Sequence, residues 1–369
     1  MMDRILLSSP HMSEQGYEQE YVKDAFDKNW IAPLGENVDK FEEELVEMTK
    51  AGNALALSSG TSALHLALKA AGVGQDDIVF CQSLTFSASA NPIRYEKAIP
   101  VFIDSEYETW NMDPKALEEA FEKYTPKAVI VVNLYGLSAK LDEIKAICEK
   151  HNTPLIEDAA ESLGTVYKGQ WTGTFGDYGI YSFNGNKIIT TSGGGMLVSN
   201  NKEGIAKARY WATQAREQVL HYEHKDIGYN YRLSNVCAGI GRGQLKVLAD
   251  RVDKKRAIYN KYAEGFKDID AITMIPDHDY ETSNHWLSAL TLDPQVITPT
   301  EIIDALAKEN IESRPVWKPM HMQPVFEEYD FIGGNVAQSL YENGVCLPSD
   351  SKMTNEQQQQ VIEIIKGVF

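Results

Sequence analysis

The stretch AVIVV at Ala128–Val132 is a run of five apolar residues without polar alternation. Such a run is typical of a strand in a parallel sheet that is covered by helices on both faces. A helical pattern follows at Leu141–His151, and a second apolar run, Pro154–Ile156, comes directly after it. This order of strand, helix and strand predicts a unit of a doubly wound α/β sheet.

The same alternation extends outward from this unit in both directions. On the N-terminal side the patterns predict strands at Ala54–Ser58, Ile78–Phe80 and Pro100–Ile103, with helices at Ser62–Lys69, Phe86–Tyr95 and Pro114–Lys123. On the C-terminal side, Gly179–Phe183 and Met196–Val198 have the composition of further strands. The sequence therefore predicts a large domain built on a mostly parallel sheet.

Beyond Asn235 the pattern changes. One long helical stretch from Val236 to about Phe266 predicts a spine that joins the large domain to a second one. The remaining patterns predict a strand at Trp286–Leu292 and helices at Pro299–Glu309 and Asn355–Gly367. We therefore expect a large domain over residues 1–250, which includes the N-terminal segment, and a smaller C-terminal domain over 251–369.

Composition restricts the class of partner. The chain has 369 residues and 53 acidic against 35 basic side chains, a formal net charge of −18, which argues against nucleic acid and anionic membranes. Its four cysteines are scattered and show no metal-type spacing, so we predict reduced thiols and no metal site. The N-terminus lacks the apolar run of a signal peptide, and no stretch is long enough to span a bilayer. These features predict a cytoplasmic protein.

One lysine, Lys187, lies at a position where its amine could react with a ligand. The sequence SFNGNK at Ser182–Lys187 puts Lys187 on a short polar turn after an aromatic-rich strand, and a glycine-rich segment, Thr190–Gly195, follows. The glycines allow another group to approach the backbone closely. An amine held there could form a Schiff base with an aldehyde. The alternative is a loop lysine that merely solubilises a turn.

Other fragments at predicted strand ends could complete a ligand site. Ser58–Ser62 could bind a phosphate at a helix N-terminus, or be an ordinary N-cap. Ile156–Ser162 carries acids that could keep a pyridinium nitrogen protonated, or only enrich a helix start. Phe86 could stack on a planar ring or pack in the core. The loop Gly228–Ser234 offers an Asn and an Arg for an anion, or is a capped loop.

In this order, the motifs resemble the DegT/DnrJ/StrS family of nucleotide-sugar aminotransferases. The likeness runs from Asn29–Gly35, through the fragments above, to Arg314–His321. It implies the pyridoxal-phosphate (PLP)-dependent transferase fold type I, an α/β large domain with a smaller C-terminal α+β domain. It also implies pyridoxal 5′-phosphate as cofactor and a homodimer with shared active sites.

The resemblance assigns expected roles by position. Lys187 corresponds to the Schiff-base lysine and Asp158 to the partner of the pyridine nitrogen. Phe86 corresponds to the stacking residue, and Asn230 to an asparagine that reaches the phosphate from the neighbouring subunit. The other expected cofactor-binding residues are Gly60, Thr61, Ser62, Glu161, Ser182 and Asn184, and the expected substrate-binding residues are Trp30, Tyr229, Lys318 and His321.

Two positions depart from the common family pattern. Glu161 replaces a frequent Gln, and Asn184 replaces a frequent His. Both variants resemble the bacillosamine-pathway subgroup. The expected reaction is amino transfer from L-glutamate to a UDP-linked 4-keto-6-deoxy-N-acetylhexosamine, which gives the 4-amino sugar for bacterial glycan or glycoprotein synthesis. The alternatives are a 3-keto sugar, a TDP- or GDP-linked 4-keto sugar, a sugar dehydration, or a regulatory protein that binds the cofactor. Lys187 argues against the last two.

Overall fold

Helices and strands alternate through residues 4–369, the part of the chain that the computed structural model describes. The α-helices are α1 (Tyr17–Asp27), α2 (Glu36–Thr49), α3 (Gly60–Ala70), α4 (Ser87–Tyr95), α5 (Pro114–Lys123), α6 (Leu141–Lys150), α7 (Lys202–Ala212), α8 (Asn235–Leu245), α9 (Leu248–Phe266), α10 (Pro299–Lys308), α11 (Val336–Asn343) and α12 (Asn355–Lys366). The strands are β1 (Asn53–Leu57), β2 (Ile78–Gln82), β3 (Ile99–Ile103), β4 (Ala128–Val132), β5 (Leu155–Asp158), β6 (Val166–Tyr167), β7 (Gln170–Trp171), β8 (Tyr178–Ser182), β9 (Gly195–Ser199), β10 (Ile272–Met274), β11 (Glu281–Thr282), β12 (Ser288–Leu292), β13 (Arg314–Pro315), β14 (Phe331–Ile332) and β15 (Gly344–Leu347).

The large sheet has eight strands in the order β1-β9-β8-β5-β4-β2-β3-β14. All of them run parallel except β9, which is antiparallel to both of its neighbours. The central unit predicted from the sequence is confirmed, with Val129 paired to Leu155 and Val132 to Asp158. Because β5 and β8 are parallel neighbours, the residues that follow Asp158 and Ser182 lie at the same edge of the sheet.

Alternate residues of the central strands fill two different apolar layers. In β4, Ile130 packs with the cluster that includes α3 and α7, whereas Val129 and Val131 pack with the cluster that includes α5 and α6. All three side chains are fully buried. Both faces of this strand are therefore covered, which is the reason its sequence shows no polar alternation.

The single long helix predicted from Val236 to Phe266 is wrong. The chain leaves the helical conformation at Val247 (φ −113°, ψ 8°), so α8 and α9 are separate helices. The two helices have different partners: α8 packs against α1 and α2, and α9 packs against α12 and β12. A Cβ on Gly243 of α8 would lie 2.5 Å from the backbone nitrogen of Glu18, so this packing is close. The turn between the helices redirects the chain from one set of partners to the other.

A second, antiparallel sheet has the strand order β10-β12-β15-β13 and lies within residues 272–347. It shares an apolar cluster with α9, α10 and α12, and Ile5 from the N-terminal segment packs into the same cluster. By contrast, β14 lies between these strands in sequence but joins the large sheet. The domain division at residue 250 stays a prediction. No helix in residues 4–369 is long and apolar enough to cross a bilayer.

Candidate active site

The side chain of Lys187 points inward from the turn that follows β8. The turn closes with a hydrogen bond from the Lys187 N–H to the Asn184 carbonyl at 3.0 Å. The lysine side chain is 12% exposed, and its Nζ lies 3.3 Å from Glu161 Oε1 and 4.2 Å from the ring centroid of Trp286. A lysine that only solubilises a turn would extend into water. The placement therefore favours the chemical role over the alternative.

Most of the predicted cofactor-binding residues line one cavity of about 370 Å³. The predicted residues that line it are Gly60, Thr61, Phe86, Asp158, Glu161, Ser182, Asn184 and Lys187. They come from the ends of β1, β2, β5 and β8, which the parallel sheet brings to one edge. Trp286 and Trp317 also line the cavity, and the sequence did not predict a role at this site for either of them.

The start of α3 forms one end of the cavity. The side chain of Ser59 caps this helix by accepting a hydrogen bond from the Ser62 N–H at 3.0 Å. The N–H groups of Gly60 and Thr61 belong to the first turn, where no intrahelical acceptor is present. A Cβ on Gly60 would lie 3.2 Å from the Cβ of Ser182, so the two chain segments approach closely here. Free amides at a helix N-terminus suit a phosphate group.

Ser62 has a different position from the one predicted. Its side chain is buried, hydrogen bonds to the Ser59 hydroxyl at 2.6 Å, and does not line the cavity. It stabilises the helix start by completing the cap, which was the alternative interpretation of this fragment.

Asp158 ends β5 and is buried. Ser89 Oγ donates to its Oδ2 at 2.7 Å, and the Ala160 N–H donates to its Oδ1 at 3.1 Å. Burial raises the pKa of this carboxyl above its ordinary value, although the two hydrogen bonds oppose the shift. Within residues 4–369, no cationic side chain forms an ion pair with Asp158. A buried carboxylate in this setting would be stabilised by a cation, which a protonated ring nitrogen can supply.

Glu161 connects the lysine to the loop after β4. Its Oε1 lies 3.3 Å from Lys187 Nζ, and its Oε2 accepts a hydrogen bond from the Tyr135 N–H at 2.7 Å. Burial raises the pKa of Glu161, and the charge of Lys187 opposes that shift. Tyr135 has left-handed backbone angles (φ 55°, ψ 13°), which are rare for a bulky residue. This conformation accompanies the hydrogen bond that fixes Glu161.

Aromatic rings form much of the cavity wall. Phe86 is 58% exposed rather than packed in the core, and its ring centroid lies 5.4 Å from that of Trp317. Trp317 also contacts Tyr135, whose hydroxyl accepts a hydrogen bond from the Trp317 N–H at 3.1 Å. Trp286 is buried beside the lysine. A planar ring can stack on surfaces of this kind.

Besides Ser62, five predicted residues do not line this cavity in the described part of the subunit: Trp30, Tyr229, Asn230, Lys318 and His321. His321 is held by a 2.6 Å hydrogen bond to Ser83 Oγ and stacks on Phe331. Tyr229 stacks on Tyr231, and Trp30 lines a separate surface groove. Asn230 is exposed. Their proposed contacts with cofactor or substrate stay predictions.

Comparisons with known proteins indicate the family of this chain. The model of the DegT/DnrJ/EryC1/StrS aminotransferase family matches residues 12–366. EpsN of Bacillus subtilis, provisionally named a pyridoxal phosphate-dependent aminotransferase, is 54% identical over 378 residues, covering 100% of this chain and 97% of EpsN. GDP-perosamine synthase of Escherichia coli O157:H7 is 37% identical, with 96% of each chain covered. The PLP form of a Streptococcus pneumoniae protein, Spr1654, provisionally named a sugar aminotransferase, has a TM-score of 0.91 at 25% identity, covering 99% of this chain and 98% of Spr1654.

The chain belongs to the DegT/DnrJ/EryC1/StrS aminotransferase family. It is an enzyme, a sugar aminotransferase, and it has the α/β fold of PLP-dependent aminotransferases. Its cofactor is pyridoxal 5′-phosphate. The predictions of family, fold class, enzymatic activity and cofactor are therefore confirmed. The residues present fit this cofactor, because the cavity combines an inward-facing amine, a buried carboxyl without an ion pair and free amides at a helix start.

Proposed function

We propose that the enzyme transfers the amino group of L-glutamate to a UDP-linked 4-keto-6-deoxy-N-acetylhexosamine. The product is the 4-amino sugar, for use in bacterial glycan or glycoprotein synthesis. The observation that carries the amino-transfer step is the position of the Lys187 amine, between the Glu161 carboxyl and the Trp286 ring, in the cavity that Asp158 also lines.

The chemistry divides between the cofactor and the chain. Pyridoxal phosphate, when bound, supplies an electron sink for the negative charge left on carbon when a proton is removed. Lys187 is the covalent attachment point, and its freed amine moves a proton from the α-carbon of the amino donor, as general base and then general acid. Asp158, held by Ser89, would keep the ring nitrogen protonated. Glu161 orients the Lys187 amine by hydrogen bonding.

Three observations bear on the identity of the sugar. The variants at Glu161 and Asn184, together with the Arg314–His321 run, resemble the subgroup that aminates the UDP-linked sugar. The indole rings of Trp286 and Trp317 on the cavity wall suit the apolar 6-methyl group of a deoxysugar. The 37% identity to a GDP-perosamine synthase favours a second candidate, a GDP-linked 4-keto-6-deoxy sugar.

A substrate panel tests this proposal. We expect the purified enzyme with L-glutamate to aminate UDP-4-keto-6-deoxy-N-acetylglucosamine with a kcat/KM at least about tenfold above that for GDP- and TDP-linked 4-keto sugars, a discrimination of about 1.4 kcal/mol. Mass spectrometry of each product and 2-oxoglutarate release measure the rates, and Lys187→Ala protein is the blank. Amination confined to a 3-keto sugar or to a GDP-linked sugar would overturn the choice of substrate.

The charge balance of the cavity supports a homodimer with shared active sites. Among the described lining residues, Lys187 is the one cation, against the carboxyls of Asp158 and Glu161. The cofactor phosphate and a sugar diphosphate would add further negative charge, so we infer that a second copy supplies donors.

Leu220 is fully exposed, and Ile227 is 77% exposed on the same loop, whose end carries the exposed Asn230. Apolar side chains in water are typical of a surface that another protein covers.

A charge placed in this loop tests the homodimer. Leu220→Asp should raise the dimer dissociation constant about tenfold or more, because it buries an unpaired carboxylate in the proposed interface. Val296→Asp, at another exposed apolar side chain, is the matched control and should leave the dimer intact. Sedimentation velocity across a dilution series measures both variants. A wild-type protein that sediments as an active monomer would show that Asn230 does not act in a partner's site.

A further inference from the structure

A second buried lysine lies close to the Lys187 turn. Lys255 of α9 is 3% exposed, and its Nζ donates to the Trp286 carbonyl at 2.9 Å and to Ser8 Oγ at 3.3 Å. Burial lowers its pKa to about 7. Within residues 4–369, no carboxylate lies within ion-pair distance of Lys255. Burial of an amine without a carboxylate partner lowers the stability of the folded protein, so we expect the amine to have a functional benefit.

The bonds made by Lys255 lead to the reactive lysine by two routes. Trp286 Nε1 donates to the Asn186 carbonyl at 2.7 Å, and Ser8 Oγ donates to the same carbonyl at 3.0 Å. Asn186 precedes Lys187 in the chain, and the Trp286 ring lies 4.2 Å from the Lys187 amine. Lys187 and Lys255 also line one small cavity of about 10 Å³. Lys255 therefore fixes both the backbone before Lys187 and the ring that its amine contacts.

The charged groups near Lys255 have partners other than Lys255. Asp350, from the loop after β15, hydrogen bonds to Ser9 and His11 of the N-terminal segment. Arg251, one turn earlier on α9, donates to the Met12 carbonyl at 3.1 Å. Lys255 is left with two neutral acceptors, a carbonyl and a hydroxyl. The Lys255 amine is therefore fixed by these two bonds, and it holds the backbone at Trp286 in place.

We propose that Lys255 is a positioning residue for the transamination reaction. By holding Trp286 and the Asn186–Lys187 turn, it keeps the Lys187 amine within reach of the carbon atoms between which protons move. Displacement of a reacting group by about 1 Å can cost as much as 100-fold in rate, so an amine that prevents such displacement has a functional benefit.

Lys255→Met tests this role, because methionine fills similar space without a donor. We expect the kcat of the L-glutamate half-reaction to fall about 10- to 100-fold, with KM changed less than about threefold. The visible circular dichroism of the bound cofactor should also change, since it reports the orientation of the group attached to Lys187. Lys254→Met is the matched control, because Lys254 is the adjacent half-exposed lysine and pairs with Asp250.

A second variant keeps the proposal testable if Lys255→Met does not fold. Ser8→Ala removes one of the two donors to the Asn186 carbonyl and should lower kcat about 3- to 10-fold. If both variants fold, their effects should be non-additive in the double variant. The half-reaction with L-glutamate needs no sugar, so it does not depend on the proposed sugar substrate. If the wild-type enzyme does not react with L-glutamate, the proposed amino donor is wrong. The circular dichroism of the bound cofactor then still tests the role of Lys255. Unchanged kcat and circular dichroism in folded Lys255→Met, or in Ser8→Ala where Lys255→Met does not fold, overturn the role.

Discussion

Lys187→Ala is expected to lower transamination by about 10⁴-fold or more. In the proposed mechanism, the substitution removes the covalent attachment point of the cofactor and also the amine that moves protons. The second function alone would contribute about 10²- to 10⁴-fold. The variant should still bind the cofactor, because the helix start at Gly60 and Thr61 and the carboxyl of Asp158 are unchanged. Single-turnover measurement of 2-oxoglutarate release and the absorbance of the bound cofactor check the two expectations. We also expect the variant to retain aminated product together with the cofactor.

Lys202→Ala is the control for that experiment. Lys202 is exposed at the start of α7, outside the cavity, and its loss should leave the rate within about twofold of the wild type. Undiminished turnover by Lys187→Ala would show that another group attaches the cofactor.

Asp158→Asn is expected to lower kcat by about 10²- to 10³-fold, a loss comparable to the removal of one electrostatic stabiliser from an active site. Asparagine keeps the size of the side chain, and its Oδ1 can still accept from the Ala160 N–H while its Nδ2 can donate to Ser89 Oγ. It cannot carry the negative charge that would keep the ring nitrogen protonated, so the carbanionic charge would be stabilised less. Steady-state kinetics with L-glutamate, at a cofactor concentration that saturates the variant, measure the effect.

Ser89→Ala separates the charge of Asp158 from its position. Ser89 donates to Asp158 at 2.7 Å, and its loss leaves the charge of Asp158 in place. We therefore expect it to cost only about 3- to 10-fold, the net value of one typical hydrogen bond. If Asp158→Asn keeps more than half of the wild-type kcat while bound to cofactor, the carboxylate does not have this role.

The residues predicted best are those with a local signal. Asp158 and Ser182 each end a strand that its apolar run marks, and a parallel sheet must bring such ends to one edge. Lys187 lies five residues after Ser182, so the same sheet also determines its position. The helix start at Gly60 depends only on the turn after β1. These features needed no knowledge of distant contacts.

The features that the sequence did not predict depend on contacts between distant segments. Trp286 lies 99 residues after Lys187, and no periodicity links the two. The left-handed conformation of Tyr135 becomes meaningful only beside the Glu161 carboxyl that its N–H meets. The helix break at Val247 follows from the different partners of α8 and α9, although the apolar pattern continues through it. Tertiary contacts overrode the local pattern in that region.

The two residues of β14 bear on the order in which the protein can complete its folding. They pair with Phe102 and Ile103, the last two residues of β3, at the outer edge of the large sheet, yet Phe331 lies 228 residues after β3 ends. During synthesis, the end of β3 therefore presents unpaired backbone groups until residues 331 and 332 have left the ribosome. An uncovered strand edge is a template for pairing with another chain. A nascent chain, or a fragment that stops at residue 250, consequently carries an aggregation hazard at this edge, which the pairing with β14 reduces.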